Sequence, residues 1–320
     1  SVFPHKISNF SDSAFAGNPQ FSRYRRFDAL LPTPMGNDLT VRFAEAAMQA
    51  EQLGKDSVTD ILTVSFSSPD YCGHTFGPNS HEIEDMYVRL DRQLAGFFAY
   101  IDSAVGLRNT VIVLSADHGV SPLPDEFPKK DAARLNGKEF LTDIKVRIGQ
   151  KFNYNEGNEN LILSISNDYI ILDYKAIDAH GFNRAKFEIA VGDACLKEGY
   201  ISRYFTRSQL ELSLAAGGSK DPIQRKIEHG FNTALSGGVA LVTVPHTFFS
   251  GGTTGTTHGS VYEYDTHVPL LFFGSGINHG TFDTTCSPND ISTTLAKLLD
   301  VHPDQKSAGR VLTTALESAK

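Results

Sequence analysis

Cysteine is scarce in this sequence of 320 residues, and the three that occur, Cys72, Cys195 and Cys286, are far apart. No C-x-x-C pair is present, which argues against zinc sites built from thiolates and against thioredoxin-like redox motifs. An odd number of widely spaced cysteines also argues against a disulfide scaffold, because one bridge at most could form.

Long apolar runs and long basic runs are also absent. No apolar run approaches the roughly 20 residues that a membrane-spanning helix needs, and the opening residues, SVFPHKISNFSDSAF, lack the basic start and apolar stretch of a signal peptide. The net charge of −8 is spread along the chain, which argues against nucleic acid and anionic membrane as partners. An anionic substrate is compatible with this charge if a bound metal supplies local positive charge.

Strand-like runs and amphipathic helices alternate in the first part of the chain. Residues 61–66 are almost continuously apolar, as in a strand buried on both faces, and residues 110–116 repeat the pattern. Between them, apolar residues recur every three or four positions from Ile83 to Val105, which predicts a long helix. This order is typical of a parallel sheet with crossover helices, in which ligands bind beyond the carboxyl ends of the strands.

The sequence pattern changes near residue 125 and returns near residue 236. In the interval, charged helical segments alternate with β-rich pieces, which predicts a smaller α+β insertion or cap over 125–235. The core pattern then resumes with GVALVTV (238–244) and HVPLLFFG (267–274). We therefore predict an α/β fold with a mostly parallel sheet flanked by helices, whose core is formed by residues 1–124 and 236–320.

Three stretches of sequence carry residues that bind metals. Asp70 and His74 follow the first strand-like run, Asp117 and His118 follow the second, and His258 lies in a loop rich in Gly and Thr. Imidazole nitrogens and carboxylate oxygens are the usual ligands of a hydrolytic Zn²⁺ ion, which keeps one position open for water or substrate. Any one of the three stretches alone is typical of a surface pair or a plain loop. Because all three follow strand-like runs, together they predict a metal centre.

Other polar residues near these stretches have simpler explanations. His267 precedes a strand, and we expect it to pack or to support a ligand more than to bind metal itself. Glu82 and Glu84 fall in the first turn of a helix, where acidic residues favour the helix dipole. Cys286 begins a Cys-Ser-Pro run similar to the sulfatase pattern C-x-P-x-R, but Asp290 stands where that pattern needs Arg.

The order of the candidate ligands resembles that of the alkaline phosphatase superfamily: D-x-x-x-H, then D-H-G at a strand end, then a distant T-H-G. Longer stretches, among them TPMGNDLT, LSADHGV and TTHGSVYEYDTHVPLLFFGSGI, resemble the bacterial phosphate-irrepressible alkaline phosphatases, which have a Thr nucleophile, and the related nucleotide pyrophosphatase/phosphodiesterases. The resemblance is strong over 30–125 and 236–302. It implies zinc-dependent hydrolysis of small-molecule phosphate esters and a periplasmic or secreted location.

Carried over residue by residue, the resemblance implies two zinc ions. Asp70, His74 and His258 would bind one ion, and Asp117 and His118 would bind the other. The first ion would stabilise the leaving-group oxygen and later activate the water that cleaves a phospho-enzyme. The second ion would lower the pKa of the nucleophile.

Several residues of the family have no counterpart in this sequence. The Thr nucleophile, a further Asp ligand and a phosphate-binding K-x-R pair lie earlier in the family's domain, and SVFPHKISNF resembles a point after all three. The chain therefore resembles the C-terminal part of such an enzyme, without a catalytic nucleophile, and its expected partner is the missing N-terminal half. A part of this kind is expected to expose an apolar sheet edge.

Three functions are compatible with the sequence. The first is hydrolysis of phosphate monoesters through a phospho-enzyme. The second is a phosphodiesterase or nucleotide pyrophosphatase activity, because monoester preference in the family depends partly on the absent K-x-R pair. The third is a metal-binding fragment without activity, because nucleophile and metal act as a unit and lose far more than additively when separated.

Overall fold

The computed structural model describes residues 28–155, 160–302 and 307–316. The opening residues SVFPHKISNF, which carry the comparison with the start of the family's domain, lie outside this part of the chain. The chain divides into two compact units, unit 1 (residues 1–119 and 267–320) and unit 2 (residues 120–266). Within the described residues, no helix combines the length and apolar character needed to cross a membrane.

Unit 1 is built on a pair of long amphipathic helices, α1 (Pro34–Ala50) and α3 (His81–Ala104), joined through the short helix α2 (Ser68–Phe76). The Ser80 hydroxyl accepts a hydrogen bond from the Ile83 backbone N–H and so caps α3. The apolar stripes of α1 and α3 form one buried cluster, whose members are Ala44, Met48, Phe97 and Ile101. The predicted long helix is therefore present, and its apolar spacing positions it against α1.

The sheet of unit 1 has two strands, β1 (Val111–Ser115) and β8 (Leu270–Gly274), paired antiparallel with Val113 opposite Phe272. Helix α10 (Asp290–Leu298) follows β8. The predicted strand over residues 61–66 is not part of this sheet. Within the described residues, its backbone forms no hydrogen bond to any strand. Its sequence favours a strand, but a strand needs a hydrogen-bonded neighbour, and none of the described strands lies beside it.

Unit 2 is an α+β layer structure around a four-stranded sheet of order β3-β4-β6-β5, with every pair antiparallel. Its strands are β3 (Ile162–Ser166), β4 (Tyr169–Leu172), β5 (Ile201–Thr206) and β6 (Val239–Thr243). Helices α4 (Gly137–Phe152) and α6 (Arg184–Leu196) contribute Ile144, Ile148, Phe187 and Val191 to its core.

Shorter elements complete unit 2, and one pair among them is parallel. Strands β2 (Arg134–Leu135) and β7 (Phe248–Phe249) form that parallel pair. The remaining helices are α5 (Tyr174–Ala179), α7 (Arg207–Ala215), α8 (Pro222–Gly230) and α9 (Glu263–Thr266).

Strand β6 corrects one expectation from the sequence. Its apolar run was predicted to resume the core sheet, but the structure pairs it with β4 and β5 inside unit 2. All five of its residues are buried, and burial on both faces gives the same continuous apolar run in a central antiparallel strand as in a parallel one. The boundaries proposed for the insertion, 125 and 235, stay a prediction.

Candidate metal centre

Helix α2 places the first two candidate ligands on one face. Asp70 lies in its first turn and His74 one turn later, and residues four apart in a helix are neighbours. The Asp70 Oδ1 atom is 3.4 Å from the His74 Nε2 atom. About one third of each side chain is exposed, at 36% and 33%, so both are accessible to an ion from solvent. Gly77, at a φ of 83°, ends the helix in a conformation that favours glycine.

The second candidate pair follows β1, and the fold brings it to the first. His118 Nε2 is 3.9 Å from Asp70 Oδ1 and 3.6 Å from Asp117 Oδ2. The His118 Nδ1 atom is 2.8 Å from the carbonyl oxygen of Gly119. Because a carbonyl oxygen can only accept, Nδ1 donates this hydrogen bond, and Nε2 is the ring nitrogen that faces the carboxylates. Four of the five predicted ligands therefore meet within unit 1.

The distances in this cluster suit a shared ion. In a tetrahedral zinc site with metal–ligand bonds of about 2.0 to 2.2 Å, two ligand atoms lie about 3.3 to 3.6 Å apart. The Asp70–His74 separation of 3.4 Å and the Asp117–His118 separation of 3.6 Å fall in that range, whereas the Asp70–His118 separation of 3.9 Å is longer. Asp70 Oδ1 lies within 4 Å of both imidazole Nε2 atoms. The donor set and its spacing thus fit a divalent metal.

Cys72 lies between Asp70 and His74 in sequence but does not join them. Its side chain is buried in a small apolar cluster with Ile83 and Met86. Burial, with a further contribution from the carboxylates of Glu82 and Asp85, raises the pKa of the thiol to about 12. The thiol therefore stays protonated and packs as a small apolar group.

His258, the fifth predicted ligand, belongs to unit 2. Its loop is fixed by hydrogen bonds on both sides: the Thr256 hydroxyl donates to the Ser121 carbonyl oxygen, and the Ser260 N–H donates to Asp265 Oδ2. His258 lines a cavity of about 350 Å³ within this unit. Its role as a metal ligand stays a prediction from the sequence.

The same cavity contains two carboxylates that the sequence did not single out, Asp168 and Asp265. Asp265 is buried and its Oδ1 atom has no hydrogen-bond partner among the described residues. Burial, with the neighbouring charge of Asp265, raises the pKa of Asp168 to about 6. Asp168 occupies a hairpin turn and Asp265 a four-residue helix, α9. The only signal for Asp265 in the sequence is its position in YEYDTHVP, a part of the longer stretch that resembles the alkaline phosphatases.

Comparisons with known proteins show the family to which the chain belongs. The family model for type I phosphodiesterase / nucleotide pyrophosphatase matches residues 6–205. A protein of Myroides odoratus named calcium-transporting ATPase is 36% identical over 298 residues, covering 91% of this chain and 53% of the relative. Alkaline phosphatase PafA of Elizabethkingia meningoseptica is 33% identical over 285 residues, covering 89% of this chain and 51% of the relative.

The fold matches a solved structure as well. The crystal structure of wild-type alkaline phosphatase PafA superposes with a TM-score of 0.81 at 31% identity, covering 90% of this chain and 54% of that one. This chain thus spans about half the length of the curated relatives it matches. The match confirms the predicted α/β fold, although the strand pairs within the described residues are antiparallel except for β2 with β7. The chain belongs to the type I phosphodiesterase / nucleotide pyrophosphatase family, within the alkaline phosphatase superfamily.

Proposed function

We propose that this chain forms the metal-binding part of a phosphoric ester hydrolase that acts on small phosphate monoesters. The observation that carries the proposal is the position of Asp70 Oδ1, which lies 3.4 Å from His74 Nε2 and 3.9 Å from His118 Nε2 on a partly exposed surface. Asp117 adds a carboxylate oxygen 3.6 Å from His118. Such an N/O donor set suits Zn²⁺, and Mn²⁺ is the alternative that metal analysis would distinguish.

In this proposal, two ions are divided between the ligands. Asp70 and His74, with His258 as third ligand on the strength of the sequence pattern, hold one ion, and Asp117 with His118 hold the other. Bound metal supplies Lewis-acid stabilisation of phosphoryl oxygens and lowers the pKa of coordinated water. This chain would fix the position of the metal through two features of its backbone. The carbonyl oxygen of Gly119 accepts a hydrogen bond from His118 Nδ1 and orients the imidazole, and helix α2 sets the spacing of Asp70 and His74.

The nucleophile and the phosphate-binding cations are proposed to lie in the part of the protein that this chain does not span. The net charge of −8 does not itself attract an anionic ester, and a bound metal would supply local positive charge for it. A periplasmic or secreted location is part of the same proposal and follows from the sequence resemblance alone.

The test uses the intact protein, in which this chain is joined to the remainder of its domain. Metal is removed with a chelator, Zn²⁺ or Mn²⁺ is restored, and release of phosphate from an aryl phosphate is measured. We expect activity to be lost without metal and to return with Zn²⁺. Full activity after complete metal removal, confirmed by elemental analysis, would contradict the proposal.

A second function is hydrolysis of phosphodiesters, and the matching family model favours it. The same preparation is assayed with an aryl phosphate and with a bis-aryl phosphate at equal concentration. A higher kcat/KM for the monoester supports the proposed phosphomonoesterase, and a higher value for the diester supports the second function. If neither is hydrolysed while metal is bound, the fragment is a metal-binding module without activity.

A further inference from the structure

Two carboxylates of unit 2 lie in one cavity and have no role in the proposed metal centre. Asp168 and Asp265 both line the cavity of about 350 Å³ in this unit, and neither belongs to the ligands that the sequence pattern assigns. Asp265 is only 4% exposed. Burial of an ionised carboxylate costs free energy unless hydrogen-bond donors or an opposite charge compensate it. The surroundings of the two side chains therefore decide what the cavity can bind.

Asp265 is oriented by one hydrogen bond and keeps one oxygen atom without a partner. Its Oδ2 atom accepts a hydrogen bond of 2.7 Å from the Ser260 N–H. Its Oδ1 atom is buried and has no hydrogen-bond partner among the described residues. Because buried polar atoms are normally paired, a buried carboxylate oxygen without a donor marks a place where a positively charged ligand is stabilised.

Asp168 is held in the wall of the same cavity by a tight turn. Asn167 and Asp168 form the two-residue connection between β3 and β4, at φ values of 47° and 59°, and both residue types adopt this left-handed conformation readily. The Leu241 N–H donates a hydrogen bond of 2.8 Å to the Asp168 carbonyl oxygen and ties the turn to β6. The backbone that carries the Asp168 carboxylate is therefore fixed.

The two carboxylates interact electrostatically. Burial, with the negative charge of Asp265, raises the pKa of Asp168. Among the described residues, no cationic side chain and no hydrogen-bond donor offsets this effect on Asp168. Two neighbouring carboxylates without a neutralising partner either share a proton or bind a cation.

The groups around the pair favour a cation that is bound through oxygen. Ser166, Asn167 and Ser260 line the cavity together with the two carboxylates, and their side chains carry hydroxyl and amide oxygens. Calcium takes about six to eight oxygen ligands from carboxylates, amides and water in a flexible geometry. A cavity of about 350 Å³ has room for such an ion with coordinated water.

We propose that Asp168 and Asp265 bind a hard divalent cation, of which Ca²⁺ fits best, through residues that take no part in the proposed metal centre. The ion would connect the turn between β3 and β4 to the segment 258–266, which carries His258, and so stiffen that segment. His258 lines the same cavity, but the proposal needs no imidazole ligand. It depends on the geometry of unit 2 and not on the proposed activity.

The experiment uses the intact protein, saturated with Zn²⁺ and freed of excess metal before Ca²⁺ is added, so that sites containing imidazole are filled first. Isothermal titration calorimetry and elemental analysis measure the bound Ca²⁺. Asp168→Asn and Asp265→Asn should each weaken Ca²⁺ binding by at least about tenfold, because each removes one of the two ligand charges. Asp143→Asn, at an exposed position of α4, is the matched control and should leave Ca²⁺ binding unchanged.

Thermal unfolding separates loss of the site from loss of the fold. Saturating Ca²⁺ should raise the melting temperature of the wild type by at least about 2 °C, because the ion binds only the folded state. Without added cation, Asp168→Asn should be at least as stable as the wild type near neutral pH, since it removes the repulsion with Asp265. The absence of a Ca²⁺ response in this variant would then report the lost ligand charge.

Three results would overturn the proposal. The first is no binding of Ca²⁺ to the zinc-saturated protein, which would leave a shared proton as the reason for the buried pair. The second is Ca²⁺ binding that is unchanged in both Asp168→Asn and Asp265→Asn. The third is loss of Ca²⁺ binding in His258→Gln, which would assign the ion to the proposed metal centre. Hydrolysis of phosphate esters is not a readout here, so failure of the proposed function would leave these results unchanged.

Discussion

The strands of unit 2 and the strands of unit 1 differ in how deeply their apolar residues are buried. In unit 2, all residues of β6 are buried, and the unit's core gathers side chains from α4, α6 and the sheet. In unit 1, the apolar residues Ile61, Leu271 and Phe273 are largely exposed. Unit 2 is a continuous stretch of chain, whereas unit 1 is formed from two separated stretches. Unit 2 therefore encloses a core of its own, whereas unit 1 leaves large apolar side chains exposed among its described residues.

The two units also differ in the groups that surround their carboxylates. In unit 2 the buried Glu188 accepts hydrogen bonds from the Tyr174 hydroxyl and the Ser208 N–H, so that its charge is stabilised by donors. In unit 1, Asp70 lies beside imidazoles on a partly exposed surface. The first arrangement is typical of a structural residue and the second of a metal ligand.

The largest expected effect is on the proposed metal centre of unit 1. Asp70→Asn removes the charge of the carboxylate whose Oδ1 lies within 4 Å of two imidazoles. We expect loss of about one metal ion per molecule and a fall in activity of the intact enzyme of about a thousandfold or more. Elemental analysis and initial rates measure both. Asp91→Asn, on the exposed face of α3, is the matched control, and equal loss in both variants would refute the assignment.

The next largest effect is predicted on stability, for the buried core of unit 2. Ile144 is fully buried between α4 and the sheet, and Ile144→Ala should lower the free energy of unfolding by about 2–5 kcal/mol. Urea denaturation followed by fluorescence of the tyrosines measures the change. The conservative variant Ile148→Val should cost only about 0.5–1.5 kcal/mol. A cost for Ile144→Ala below that of Ile148→Val would mean that this core is not tightly packed.

Removing the buried carboxylate of Glu188 should have a somewhat smaller effect. Glu188→Ala leaves the Tyr174 hydroxyl and the Ser208 N–H without their acceptor, at an expected cost of about 1–3 kcal/mol. Adding Tyr174→Phe removes one of the two orphaned donors, so the double variant should lose less than the sum of the single ones. Strict additivity in urea denaturation would show that the hydrogen bond contributes nothing.

The pH dependence of unit 2 should respond to Asp168. Its pKa in the fold, about 6, lies above the unfolded value, so the folded state binds more protons between pH 4 and 6 and stability falls as pH rises through that window. Asp168→Asn should flatten this slope and add about 1–2 kcal/mol above pH 6. Asn also tolerates the positive φ of 59° at this position.

Thermal unfolding from pH 4 to 7 checks the prediction on Asp168. Asp143→Asn, at an exposed position of α4, is the control and should leave the slope unchanged. A slope that is identical in the wild type and in Asp168→Asn would show that another group titrates in this window.

The smallest effect is predicted on the open sheet face of unit 1. Leu271→Ala truncates a side chain that is more than half exposed, so the chain alone should lose about 0.5 kcal/mol or less. In the intact protein we expect further polypeptide to cover this face, so the same substitution should cost several times more there. Equal small costs in both forms would show that the face stays open and would remove the contrast between the units.

The sequence predicted the parts of the site that depend on local spacing. Asp70 and His74 were singled out by their spacing of four after an apolar run, whereas helix α2, which brings them onto one face, was not predicted. His118 follows the apolar strand β1 and was therefore expected at its carboxyl end. The long helix α3 also followed directly from the spacing of its apolar residues.

The pairing of strands could not be predicted in the same way. Residues 61–66 and 239–243 have similar apolar runs, yet the structure pairs only the second. A strand needs a neighbour, and nothing in its own residues says whether that neighbour lies in the same unit, elsewhere in the chain or in another part of the protein. Asp168 and Asp265 were missed for the same reason, because their burial depends on elements distant in sequence.

The sequence by itself therefore determined the helices, the residue types of the metal centre and the family. Only the tertiary structure decided that Asp70 Oδ1 lies within 4 Å of the Nε2 atoms of His74 and His118, and that His118 Nε2 lies within 4 Å of Asp117. It also decided that β6 belongs to unit 2 and that residues 61–66 have no strand partner within the part of the chain that the structure describes. The physical reason is that side-chain spacing along a helix or strand is a local property, whereas burial and backbone pairing depend on contacts between segments far apart in the chain.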